Sequence, residues 1–183
     1  RAWYTYGARY AYILAKDSLY RSGYTLSVYE RTASEIILVM HTRNSSGISG
    51  ADKVVGTDFA RTDFVHVTGV YTSQTRFDLY INGEDISATN PTTFYDPGNH
   101  SSYPFRIGAS TFYSAYDTPF PGWIYDARVY NVALTANEVR GIYNGAHITR
   151  GLVSRWLINE GSGTTVYDIH GSNDGTISGA SWT

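Results

Sequence analysis

The chain has 183 residues, 42% hydrophobic and 16% charged, with a formal net charge of −2. That is one domain's length with enough apolar material for a core, and the charge balance excludes a nucleic-acid binder driven by bulk positive charge. The longest apolar run, residues 36–40, falls far short of the ~20 residues of a membrane-spanning helix, and zero Cys excludes disulfides, thiolate metal sites and thiol catalysis.

In chain order, Tyr4 with Tyr6 and Tyr10 with Tyr12 alternate, so each pair faces one side of a strand. Residues 24–29 alternate after a Ser22-Gly23 turn. The continuous run Ile36-Ile37-Leu38-Val39-Met40 reads as a strand buried on both faces. Residues 64–71 alternate again. Residues 76–81 put Phe77, Leu79 and Ile81 on one face and end in Asn82-Gly83, a strong hairpin signal. Residues 87–103 form a long polar loop with two prolines, of the kind that is functional or mobile. Residues 105–108 and 123–130 supply two more strands. Thr135 followed by Glu138 has the capping-box form, with Val139, Ile142 and Tyr143 at helical spacing and Gly145 at the stop. This predicts one short helix near 136–143. Trp3, Trp123 and Trp156 lie within strands and are expected in the core. The spacing implies an all-β antiparallel sandwich or barrel. Low charge with abundant Gly, Tyr, Thr and Ser points to an extracellular protein. Because it opens on Arg1, the chain is expected to be processed or cut from something longer.

The segment 122–135, Gly-Trp-Ile-Tyr-Asp-Ala-Arg-Val-Tyr-Asn-Val-Ala-Leu-Thr, resembles the closing strand of laminin-G-like domains, which belong to the concanavalin-A-like lectin/glucanase jelly rolls. Residues 64–71 with 77–83 resemble the family's central hairpin. Residues 105–110 resemble its Arg-Ile-Gly-Ala-Ser strand, and Ala2-Trp3 with residues 13–16 its first long hairpin. The resemblance implies an antiparallel two-sheet jelly-roll sandwich over residues 1–145. Residues 151–168 and 173–182 are similar to the family's opening strands, which here follow the closing strand. Residues 146–183 are therefore read as displaced opening strands. They complete this sandwich by circular permutation, complement a neighbouring subunit, or belong to a tandem array. Leu152, Val153, Trp156 and Ile158 are expected to be buried in a sheet of this chain or a neighbour's.

Glucanases on this fold need paired carboxylates on one strand, in a Glu-x-Asp-x-Glu pattern. Glu35 is followed by apolar residues at both other positions. The five His show no metal spacing, and neither a nucleophile elbow nor a phosphate loop occurs, so no enzyme is expected. The resemblance implies one Ca²⁺ site where Asp168, Asn173 and Asp174 meet Asp126, since carboxylates and loop carbonyls suit this hard cation. The loop 168–173 is shorter than the family's, with His170 inserted. The alternative is that Asp168 and Asn173 form Asx-turns and Asp126 caps a backbone amide. Loop aromatics Tyr95, Tyr103, Tyr113 and Tyr116, like the strand pairs of tyrosines, are candidates for stacking on sugars. The alternative for each is core or interface packing. Asn44 and Asn99 head glycosylation triplets.

Two functions remain. One is a non-catalytic extracellular carbohydrate-binding or adhesion module, calcium-stabilised. The other is a structural surface protein, a virion decoration or fibre subunit or an extracellular filament subunit, that assembles through the jelly roll and its C-terminal strands. The expected partner is a glycan or other copies of the chain in a larger assembly or multidomain chain, at a cell or virion surface. Nucleic acid and membrane insertion are excluded as partners.

Overall fold

The computed structural model describes residues 9–17, 23–32, 35–43, 53–56, 64–73, 76–87, 103–110 and 117–182. These form short strands and one helix, and they divide into two units, Arg1–Gly122 and Trp123–Thr183.

In the first unit, strands β1 (Arg9–Asp17), β2 (Gly23–Thr32), β3 (Glu35–Arg43) and β4 (Lys53–Gly56) pair antiparallel in succession. A second sheet joins β5 (Val67–Ser73), β6 (Arg76–Ile81) and β7 (Glu84–Asp85). Strands β8 (Arg106–Ile107) and β9 (Asp117–Pro119) both add to β1, β9 in parallel, the one departure from the antiparallel rule among the described residues.

Alternation places Leu26, Leu38 and Met40 of the large sheet against Phe77 and Leu79 of the small one, and this cluster is the sandwich core. The continuous apolar run of β3 is buried on both faces: Ile37 and Val39 are as inaccessible as Leu38. β6 turns into β7 at Asn82 and Gly83, both with positive φ (49° and 79°), which the Asn-Gly pair adopts readily. The sequence run beginning at Phe64 enters its strand only at Val67, and Phe64 is exposed.

In the second unit, β10 (Ala127–Tyr130) leads through helix α1 (Ala136–Tyr143) to β11 (Leu152–Trp156), and β12 (Thr165–Val166) pairs with β13 (Gly175–Thr176). The helix lies where the capping box predicts it. Thr135 Oγ1 accepts from the Glu138 amide, and a Glu138 oxygen accepts from the Thr135 amide at 2.7 Å. The helix buries Val139 and Ile142.

β11 pairs antiparallel with β10 of the same chain, Ala127 opposite Trp156 and Arg128 opposite Arg155. The second unit therefore begins at Trp123, ahead of the closing strand. The closing strand and helix group with the tail because their hydrogen bonds are made to it.

Two expectations about apolar residues are corrected here. Leu152, Ser154 and Trp156 share the buried face of β11, while Val153, one residue out of phase, is 38% exposed. Ile158 is partly buried but lies past the strand end with φ 56°. Trp123 is 69% exposed rather than in the core. The left-handed Asp126 (φ 56°) interrupts the run before β10 and breaks the alternation that would have turned Trp123 inward.

Candidate functional site

The face of the large sheet opposite the core carries a different set of side chains. Register places Tyr10 beside Tyr29, Tyr12 beside Ser27 beside Val39, and Ala15 beside Thr25 beside His41. A bulge in β1 between Tyr12 and Leu14 shifts its phase by one residue. Ala15 thus joins the tyrosines' face while Ile13 and Leu14 pack toward the core.

Tyr10 is the centre of this face. Its ring lies 4.7 Å from Tyr29, 5.5 Å from His41 and 6.4 Å, nearly parallel, from Tyr12. These spacings are within the range of favourable aromatic pairs. Tyr12 is buried, whereas Tyr10, Tyr29 and His41 are half-buried. The floor between them is made of small residues, Ala15, Thr25 and Ser27. Ser27 donates to the Val39 carbonyl at 3.4 Å, and the Thr25 hydroxyl is buried with no hydrogen-bond partner among the described residues. The rings are part-exposed over a floor that is itself inaccessible, and flat rings of this kind are the side chains that stack on the C–H face of a sugar.

Tyr10 and Tyr12 are legible in the sequence as a same-face pair. Tyr29, His41 and Thr25 are not. The odd phase of Thr25, Ser27 and Tyr29 is visible, but only the strand register brings His41 to Tyr10. Of the loop aromatics, Tyr95, Tyr113 and Tyr116 lie outside the described residues. Tyr103 is 38% exposed, and its carbonyl accepts from Lys16 Nζ at 3.1 Å.

The four residues nominated for calcium lie in the second unit, where three of them close one loop. Asp168 Oδ1 accepts from the amides of Arg155 (2.9 Å), His170 (3.0 Å) and Gly171 (2.9 Å), and Oδ2 from that of Asn173 (3.1 Å). Asp174 Oδ1 accepts the Asp168 amide, the Asn173 side chain donates to Ser154 Oγ, and the Asn173 carbonyl accepts Trp156 Nε1. Asp168 also bridges to Trp156 across the sheet.

Asp126 is not part of that loop. It lies between two guanidiniums, with Arg128 at 3.0 and 2.6 Å and Arg155 at 2.8 and 2.9 Å, both bidentate. Burial alone would raise the Asp126 carboxyl. The hydrogen bonds from Arg128 and Arg155 and their positive charges outweigh it and hold the group well below the usual carboxylate range. Asp168 behaves alike: burial raises it, but the Arg155 and Gly171 amides, the Ser154 hydroxyl and the His170 amide lower it further.

These oxygens do not fit a resident Ca²⁺. The lone pairs such an ion needs are filled by N–H donors, and at Asp126 two cations already stand where it would sit. Among the described residues no group of three or more His, Asp or Glu side chains could hold a metal ion. The Asx-turn alternative describes Asp168, while Asp126 takes an ion-pair role that neither expectation contained.

A family model described as the concanavalin A-like lectin/glucanases superfamily, of the laminin-G-like type, matches residues 2–140. No curated protein and no solved structure matches the chain. The matched segment covers β1 to β10 and most of α1, with the sandwich core and the tyrosine face inside it. The motifs from the Ala2-Trp3 hairpin to the closing strand and the two-sheet sandwich agree with that match, and the chain belongs to the laminin-G-like family of the concanavalin A-like lectin/glucanase superfamily.

Proposed function

We propose that this chain is a non-catalytic extracellular carbohydrate-binding or adhesion module whose ligand contacts the tyrosine face of the large sheet. The observation that carries this reading is the cluster of half-buried rings, Tyr29 and His41 about Tyr10, on one face of the large sheet. Family membership supports it at the level of lectin-like modules. The non-catalytic reading rests on residue types. Retaining and inverting glycosidases both need two carboxylates across the scissile bond, and Glu35 is followed by apolar Ile37 and Val39 where a Glu-x-Asp-x-Glu strand would carry the others. A glycan array followed by titration of the best binder tests the reading. Selective binding that weakens in Tyr10→Leu and Tyr29→Leu supports it, and no binding across neutral and charged glycans overturns it.

A second reading, a structural subunit of a virion, fibre or filament, is favoured by one different feature. The second unit exposes Trp123 (69%), Tyr125 (57%), Tyr167 (57%) and Ile169 (54%), large apolar side chains that contact with another copy would cover. Native mass separates the two: a discrete monomer that binds glycans favours the first, and a polymer favours the second.

A further inference from the structure

We infer that Arg155 does the tethering that a divalent cation would otherwise do, so that the tail is held to the closing strand without metal and ligand binding is indifferent to calcium. A bridging ion at this junction would have to contact the carboxylate of the closing strand and the carboxylate of the tail loop at once. Arg155 reaches both. Its guanidinium grips both oxygens of Asp126, and its backbone amide donates to Asp168 Oδ1. It is placed to do so because it lies on β11 directly opposite Arg128, the residue two after Asp126, while Asp168 bridges to the neighbouring Trp156.

The geometry is built for a guanidinium. Both arginines approach Asp126 through Nε and Nη2, the planar fork that matches a carboxylate edge. The three side chains are largely withdrawn from solvent, at 14%, 20% and 21% exposed for Arg128, Arg155 and Asp126. Two positive charges on one carboxylate leave Asp126 no uncompensated negative charge to offer an arriving cation. Asp126 sits at a left-handed backbone position, φ 56°. That turn aims its carboxylate between the two arginines, and its amide still donates to the Leu157 carbonyl.

The test uses the whole chain. Melting curves with excess chelator and with excess calcium should coincide, and equilibrium dialysis should find no saturable calcium bound. Arg155→Met should lower the melting temperature equally in both conditions, and Arg155→Lys should recover only part of the loss, since an ammonium cannot reproduce the fork. The wild-type comparison stands even if the Met variant fails to fold. Saturable calcium binding that Asp126→Asn abolishes, or a melting temperature raised by calcium, would overturn the inference. The corollary on ligand binding rests on the glycan reading above. Glycan binding lost on chelation would overturn the inference and leave that reading intact, whereas absence of any glycan binding would count against that reading alone.

Discussion

Removing the Asp168 carboxylate should destabilise the second unit more than any other single polar change in its loop. In Asp168→Ala four backbone amides, those of Arg155, His170, Gly171 and Asn173, lose their acceptor together. Asp168 is only 9% exposed, so those donors are poorly placed to find water. Hydrogen bonds to a charged group contribute ~1.5–3 kcal/mol each, but one carboxylate shared among four donors does not give four times that. Water also enters the space left by truncation. The expected loss is about 3 kcal/mol, which for a chain of this size lowers the melting temperature by ~6–12 °C. Asp168→Asn should fall between. Its carbonyl keeps one acceptor, but its NH₂ would meet the Asn173 amide donor to donor.

Thermal unfolding followed by circular dichroism measures the size, and hydrogen exchange at the four amides locates it. The pH dependence has a fixed sign. The folded carboxyl titrates well below its ordinary value, so its contribution is complete above about pH 4, the unfolded value, and is lost as pH falls below it. Asp168→Ala should therefore have a flatter stability profile in acid than the wild type. A loss below about 1 kcal/mol, or an unchanged acid profile, would refute the reasoning.

Gly151 has φ 69°, and a Cβ there would clash with the Val132 side chain. Gly151→Ala should therefore cost ~2–4 kcal/mol in a denaturant titration, from strain plus overpacking. Gly145, at φ 90° with nothing within 4 Å, is the control, and its Ala variant should lose only ~1–2 kcal/mol. Thr135→Ala removes the helix cap and should cost ~1 kcal/mol, read as faster exchange of the Glu138 amide. Arg150 and the Thr135 amide hold Glu138 down to about 2, so the reciprocal half of the cap should persist to lower pH than an ordinary glutamate would allow, as a titration followed by NMR would show.

Local signals were the legible ones. The capping box at Thr135 and Glu138, the two-sided apolar run 36–40 and the Asn82-Gly83 turn each act within a few residues, and each appears where the sequence places it. Hydrophobicity counted without phase was less reliable. Val153 is as apolar as Leu152, but the pleat turns it outward. Ser154 is buried by the same pleat, its hydroxyl satisfied by the Asn173 side chain, which donates to it from 19 residues away. Asp126 was recognisable as important by its place in the closing strand, not by its partner. Arg155 lies 29 residues downstream and reaches it only through the β10–β11 register. The same holds for Tyr10 and His41, which meet across two strand pairings.

The most direct measurement of the central claim is the affinity of a single array-selected glycan for the wild type and for Tyr10→Leu and Tyr29→Leu, with melting curves confirming that both variants fold. Leucine keeps apolar bulk but removes the flat ring and the hydroxyl. If the tyrosine face is the binding surface, each variant should weaken binding about tenfold or more, equivalent to ~1.4 kcal/mol, while Tyr167→Leu on the second unit leaves it unchanged. Full affinity in both Tyr10→Leu and Tyr29→Leu would contradict that assignment.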